Sequence, residues 1–375
     1  MSRLLLGVTL ERICKAILLL CLIHFLILMI LYFNVYAQHL DFFSRLGTKN
    51  STRPHPYYNF SRPNGTAPSY TAPAGSTGEL LPPSTGPESN QSISEKPLPP
   101  CPEDPPALVG PMLIEFKSAI NLERVKKENP DVREGGKYIP SDCKAKQRVA
   151  IIIPFRYREH HLNYWLHYLH PILRRQRANY GIYIIIQNGD DTFNKGKLMN
   201  IGFLEALKEE PYDCFIFSDI DLVPMDDRNL YRCYNQPRHY ITAMDKFGFR
   251  LPYVNYFGGV TGLSKAQFLK INGFSNEFWG WGGEDDDFYS RVTLTGMKVA
   301  RPHIQIGKYR MIKHARDKHN EDNPQRFVKI RNTKMTMLKD GLNSLQYQVI
   351  NKVKYPLYTN ITVDVGKSPP MSAQG

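Results

Sequence analysis

Two aspartates, Asp219 and Asp221, lie in the run CFIFSDIDLVP (214–224), whose apolar character reads as a buried strand. On an extended chain, residues two apart point to the same side. A pair of carboxylates at a strand's carboxyl end makes a hard-oxygen site for Mg2+ or Mn2+. A cation there can hold a diphosphate and neutralise charge as it leaves. Asp-x-Asp is a short pattern, and its weight comes from its place at the edge where open α/β sheets bind ligands. The same edge receives Pro154, Phe155, Arg156, Tyr157 and Arg158 from an earlier strand. The two arginines either face phosphates and bases or are solvated loop charges. A third tract, FWGWGGEDDDFYSRV (278–292), sets Trp279 and Trp281 around Gly280, with Gly282 and Gly283 following. Glycine hinges and flat rings that suit sugar faces read as a lid. Glu284, Asp285, Asp286 and Asp287 then open a helix. Acids in a first turn complement the helix dipole, so one or two of them are structural. Adjacent carboxyls also repel, which raises a pKa towards general-base use. Finally, His314 is a candidate metal ligand three residues after Met311. A thioether matches a hard divalent ion poorly, so from hardness alone Met311 reads as core.

The elements that must position these groups follow from periodicity. RVAIIIPF (148–155) and YGIYIIIQN (180–188) are apolar runs of strand length, like 214–224. HLNYWLHYLHPILRRQ has helical spacing, and KGKLMNIGFLEALKEE reads as a helix with Ile201, Leu204 and Leu207 on its apolar side. Strands alternating with helices predict an α/β fold with a parallel sheet covered on both faces. No internal repeat is visible.

Three unlike regions precede or contain these elements. Residues 16–36 include AILLLCLIHFLILMILYF, apolar except for His24 and close to the ~20 residues that span a bilayer. Arg3, Arg12 and Lys15 precede it against Glu11 alone, which predicts a cytosolic tail (1–15) and a retained signal anchor. Residues 37–100 are rich in Pro, Ser, Thr and Gly, too poor in apolar surface to offset chain entropy, and read as a stem. Sequons at Asn50, Asn59, Asn64, Asn90 and Asn360 fit a lumenal placement. So do Cys101, Cys143, Cys214 and Cys233, an even set outside the membrane segment, for which three pairings are open. Residues 101–375 form the globular part. The net charge of +13 suits a phosphate-bearing substrate, but the basic residues are scattered, which argues against nucleic-acid binding.

FSDIDLVP, DKFGF, YFGGV, FWGWGGEDDDF and RMIKHARDKHNEDNPQRF resemble the β-1,4-galactosyltransferases of the vertebrate lactose-synthase type, over about Cys101 to Val363. The resemblance implies a GT-A fold, a Rossmann-like central sheet flanked by helices. It implies Mn2+ on Asp221, Met311 and His314, which replaces the core reading of Met311. The donor UDP-galactose would meet Pro154, Phe155, Arg156, Arg158, Phe193, Asp219, Ile220 and Lys246. Lys195 stands where the best-known member has arginine, keeping the charge without the fork. Trp281 matches the lid tryptophan and Asp285 the catalytic base. Tyr253, Gly282, Gly283, Glu284 and Asp286 fall on the acceptor side, and Arg326, Phe327 and Ile330 around the acceptor's N-acetyl group. Tyr256 matches a position whose bulk favours UDP-galactose over UDP-N-acetylgalactosamine. The implied disulfides are Cys101–Cys143 and Cys214–Cys233. The implied reaction is galactose transfer, with inversion, to the 4-hydroxyl of terminal N-acetylglucosamine on a glycan, in the Golgi lumen. α-Lactalbumin is an implied partner that redirects transfer to glucose. The alternatives are an N-acetylgalactosaminyltransferase of the same fold, a non-catalytic sugar binder, and a structural membrane glycoprotein.

Overall fold

The computed structural model describes residues 97–315 and 317–369, together with residues 17–20, 22–26 and 29. The chain divides into two compact units, Met1–Asn90 and Gln91–Gly375. In the first, the described residues are helical and exposed. Among the described residues no helix is long and apolar enough to cross a membrane. About half of the expected anchor (16–36) lies outside them, as do the tail, the stem up to residue 96 and the sequons at Asn50, Asn59, Asn64 and Asn90.

The second unit is built on a seven-stranded sheet. Its elements begin with helix α1 (Leu122–Glu128), strand β1 (Arg148–Phe155), helix α2 (Glu159–Arg175) and strand β2 (Asn179–Gln187). Helix α3 (Lys195–Glu209), strand β3 (Cys214–Ser218) and the short strands β4 (Leu222–Pro224), β5 (Arg238–His239) and β6 (Ala243–Met244) follow. Next come β7 (Val260–Ser264), α4 (Lys265–Lys270), α5 (Glu284–Leu294), β8 (Lys308–Met311), α6 (Arg326–Thr336), β9 (Gln348–Lys354) and β10 (Thr359–Asp364). The strand order is β5-β7-β3-β1-β2-β10-β9. The central strands β3, β1, β2 and β10 run parallel, as the alternation of strands and helices predicts. β7 pairs antiparallel with β3, β5 antiparallel with β7, and β9 antiparallel with β10, so the sheet is mixed. A second sheet, β4-β8-β6, was not foreseen.

The core follows the pleat. Successive side chains of a strand point to opposite faces. Ile151 and Ile153 of β1 pack with Trp165 and Leu169 of α2 on one side. Ala150 and Ile152 pack with Leu198, Phe203 and Phe217 on the other. Both faces are therefore buried, which is why the central strands are continuous apolar runs. Asn360 sits within β10, half-buried between β2 and β9. The disulfides Cys101–Cys143 and Cys214–Cys233 are both formed.

One reading needs correction. The run 214–224 is not one strand. It breaks after Ser218, and Asp219, Ile220 and Asp221 form a turn before β4. Asp219 donates its amide to the Gly259 carbonyl (2.8 Å), and Ile312 donates to the Asp221 carbonyl (2.8 Å). The turn hands the chain from the large sheet to the small one.

Candidate active site

The break at Ser218 gives the two aspartates different partners. Asp219 Oδ1 pairs with Lys195 Nζ at 2.8 Å. Lys195 is the first residue of α3, which is capped by the Asn194 side chain accepting from the Lys197 amide (2.9 Å). The same ammonium lies 3.3 Å from Glu284 Oε1. Burial works against the charge on Lys195, yet Asp219, Glu284 and Asp285 hold its pKa well above the ordinary value. Burial pushes Asp219 up to about 6, with Lys195 opposing and Asp221 adding.

Asp221 faces His314. Nδ1–H of His314 donates to the Ala315 carbonyl (2.6 Å), and Nε2 lies 2.8 Å from Asp221 Oδ2. With Nδ1 carrying the hydrogen, a neutral ring turns a lone pair towards a carboxylate. Two acceptors so close call for a proton or a cation between them. A proton there accounts for the raised pKa of His314, whose first cause is the Asp221 hydrogen bond. Met311 ends β8 opposite Leu222, the residue after Asp221. Its amide donates to Asp245 Oδ1 (2.9 Å), and it is half-buried against the core. Among the described residues no three His, Cys, Asp or Glu side chains cluster as a metal site. A cation here would therefore take one carboxylate, one imidazole and the neighbouring thioether. The Asp221 carboxylate suits Mn2+, and the Asp221–His314 pair, two acceptors that call for a cation, fits one.

The acidic tract lies beside Lys195. Helix α5 starts at Gly283, whose φ of 97° sits where glycine is favoured, as do those of Gly280 and Gly282. Asp285 is half-buried, and burial, then Glu284 and Asp286, push it up to about 8. Asp286 accepts from Tyr253 Oη (2.8 Å). Asp287 is structural: it is buried, accepts from Arg291 Nε (2.6 Å) and from Thr333 Oγ1 of α6 (2.7 Å). Tyr256 packs edge-on to Tyr253 (5.5 Å) and Phe247 (6.3 Å). Gly258 closes this wall, because a Cβ there would lie 2.4 Å from Asp285 Oδ2. The YFGGV motif contained this glycine, but nothing in its local pattern marks its contact with Asp285.

Arg156 and Arg158 leave the end of β1 as expected, but both have protein partners. Buried Arg156 donates to the carbonyls of Asp191 (2.6 Å) and His319 (3.0 Å) and lies 4.9 Å from the Phe193 ring centroid. Arg158 pairs with Asp317 (2.5 Å), a partner that sequence spacing does not reveal. Pro154, Phe155 and Ile220 are buried, and Lys246 is exposed on a short 3-10 turn. Trp281 is half exposed, its amide donating to the Glu321 carbonyl (2.7 Å). The Arg326 guanidinium lies 6.0 Å from the Trp281 ring centroid and 4.8 Å from that of Phe327, with Ile330 one helical turn on. A larger cavity, of about 510 Å³, lies elsewhere, lined by Cys101, Arg177, Arg232 and Val149 near the start of β1. Open α/β sheets bind ligands at the opposite, carboxyl edge, so the chemistry is placed with the carboxylates.

The α/β sheet carries at its carboxyl edge a turn of carboxylates, a lysine and a glycine-hinged acidic helix, and the family models that match this chain are those of glycosyltransferases. Two family models match the chain: "N-terminal region of glycosyl transferase group 7" at residues 101–234 and "N-terminal domain of galactosyltransferase" at 238–315. The chain belongs to the β-1,4-galactosyltransferase family. It is 62% identical to β-1,4-galactosyltransferase 2 of Mus musculus over 383 residues, covering 100% of each chain. It is 58% identical to β-1,4-galactosyltransferase 1 of Homo sapiens over 306 residues, covering 80% of this chain and 77% of that one. The catalytic domain of Drosophila β1,4-galactosyltransferase 7, solved with xylobiose, has a TM-score of 0.51 at 25% identity, covering 59% of this chain and 94% of that one. A mutant of that enzyme, solved with manganese, UDP-Gal and xylobiose, has a TM-score of 0.50 at 24% identity over the same shares.

Proposed function

We propose that this chain moves galactose from UDP-galactose to the 4-hydroxyl of a terminal N-acetylglucosamine, with inversion at the anomeric carbon. The observation that carries the reading is Asp285. It is a carboxylate whose pKa is lifted to about 8, walled by Gly258 and next to Asp286. Such a group is matched to proton abstraction near neutral pH. Asp285 takes the proton of the acceptor hydroxyl as that oxygen bonds to the galactose C1. The bond from C1 to the diphosphate oxygen breaks, and UDP leaves with the electron pair. Asp286, held by Tyr253, orients the acceptor. Lys195 supplies positive charge beside Asp219 and Glu284. Asp221, Met311 and His314 would hold Mn2+, whose chemistry when bound is to offset charge developing on the leaving diphosphate. Trp281, on its glycine hinges, covers the reacting groups and limits hydrolysis of the donor.

The same reading places the catalytic unit in the Golgi lumen on the 16–36 anchor and makes α-lactalbumin a partner. Tyr256, packed against Tyr253 and Phe247, supports galactose over N-acetylgalactosamine in the donor. The test is transfer by the full chain from a panel of UDP-sugars to a GlcNAc-terminated glycan, with Mn2+ or with chelator. Product linkage is read by NMR. Mn2+-dependent β-1,4 transfer from UDP-galactose is expected, and Asp285→Asn loses it while still binding UDP. Transfer from UDP-N-acetylgalactosamine instead, or near-normal turnover by Asp285→Asn, refutes the reading.

A further inference from the structure

The segment 253–259 supplies one wall of the acidic site, yet it forms no strand or helix. Tyr253, Tyr256 and Gly258 all come from it. Such a stretch needs its backbone carbonyls satisfied from behind, because buried polar groups without partners are costly. Two side chains outside the site do this. His239, the last residue of β5, is fully buried, and its Nε2 lies 2.9 Å from the Gly258 carbonyl. Arg301 Nε donates to His239 Nδ1 at 3.1 Å. Arg301 Nη2 donates to the carbonyls of Tyr256 (2.8 Å) and Val254 (3.0 Å). The His239 ring also meets Tyr256 and Phe257 edge-on, at 5.6 and 5.7 Å.

Chemistry fixes the direction of each bond. A guanidinium only donates, so Nδ1 must accept and Nε2 must carry the hydrogen given to Gly258. Burial, then the Arg301 charge, hold His239 down to about 3, so the ring stays in this neutral tautomer. The front of the segment meets the carboxylates. Tyr253 Oη donates to Asp286, and the vacant Cβ position of Gly258 lies 2.4 Å from Asp285 Oδ2. One continuous set of contacts thus joins Arg301 and His239, through Tyr253, Tyr256 and Gly258, to the two carboxylates.

We propose that His239 and Arg301 are positioning residues for the acceptor side: together they fix the depth of the 253–259 segment and so the placement of Asp285 and Asp286. The proposal rests on the reading of Asp285 as base and Asp286 as acceptor contact. Neither residue bonds Asp219, Asp221 or His314 directly; among the described residues the segment meets the donor side only through Tyr256 and the Gly259 carbonyl, so UDP affinity should change far less than acceptor kinetics.

The test compares His239→Leu with His239→Gln in the full chain. Leucine removes both bonds, whereas glutamine can accept from Arg301 through Oε1 and donate to Gly258 through Nε2. For Leu, acceptor KM is expected to rise and kcat to fall, lowering kcat/KM for the GlcNAc acceptor by roughly 10- to 100-fold. UDP affinity, measured by calorimetry with Mn2+, is expected to hold within about 2-fold, and Gln is expected to restore most of the loss. If His239→Leu does not fold, Arg301→Lys carries the comparison, since an ammonium's donors sit on one atom and lack the span by which Nε reaches His239 while Nη2 reaches both carbonyls. Equal losses in donor and acceptor parameters, or kcat/KM within about 3-fold of wild type in the Leu variant, overturn the proposal. Absence of any transfer by the wild-type chain refutes the reading of the site instead, and is seen before any variant is made.

Discussion

Gly258→Ala tests the wall behind the base with a single methyl group. The backbone at Gly258 is not in the left-handed region, so alanine is conformationally acceptable there. The new Cβ would lie 2.4 Å from Asp285 Oδ2 and 2.8 Å from Tyr256 Oη, against 3.4 Å for ordinary contact. Something must move by about 1 Å. The Tyr256 ring is hemmed in by His239, Phe247 and Tyr253. Asp285 is a short side chain with one oxygen already accepting from the Asp286 amide (3.0 Å), so it yields by rotating Oδ2 away. A misplacement of about 1 Å in a reacting group costs on the order of 100-fold in rate. Steady-state kinetics with saturating donor should show kcat down by about that factor, with UDP affinity unchanged and a melting temperature within a few degrees of wild type. A kcat within about 3-fold of wild type would mean that Asp285 is not held against Gly258 during turnover. A large fall in melting temperature would mean that the wall, not the base, had failed.

Other outcomes follow from the same geometry. Asp285 has a raised pKa, so it is protonated and idle as a base at low pH. Galactosyl transfer should rise with pH through about 8, and Glu284→Gln, by removing a like charge, should move that limb to lower pH in a pH–rate profile. Asp287→Ala strands Arg291, which is fully buried and, among the described residues, retains only Asp340 as an ionic partner (3.3 Å). Urea unfolding should report a loss of about 3–5 kcal/mol. Thr333→Val removes a neutral donor from the same carboxylate and should cost less, about 1–2 kcal/mol by the same measurement.

Much of the architecture was legible because the central strands are buried on both faces. Runs such as RVAIIIPF and YGIYIIIQN have one reading once their length is counted, and β1 spans the expected residues. Helix α3 was legible because its apolar spacing begins just after Asn194, which caps it. The break at Asp219–Asp221 was not, since an apolar run looks the same whether one strand continues or two meet at a turn. Nor was the small sheet, whose strands β4 and β6 are three and two residues long and whose pairing joins Leu222 to Met311. At the site, the acidic tract announces itself by like-charge crowding in a first turn. Met311 does not, because a thioether beside a core looks like core, and its proposed place at the metal comes from the family resemblance. His239 and Arg301 could not have been found from spacing, since they meet only in the folded chain and lie 62 positions apart.

The two disulfides have a mechanical meaning. Cys101–Cys143 and Cys214–Cys233 precede β1 and open β3, and Cys101 and Cys233 line the cavity near the sheet's amino end. By loop closure alone, loops of 42 and 19 residues remove roughly 4 and 3 kcal/mol of freedom from the unfolded chain. Both cross-links fall away from the carboxyl edge on which the proposed site lies. The carboxyl edge, with its glycine hinges and its turn of aspartates, carries none. The frame is thus bolted at the sheet's amino end, and the proposed lid movement falls on the edge that no cross-link ties.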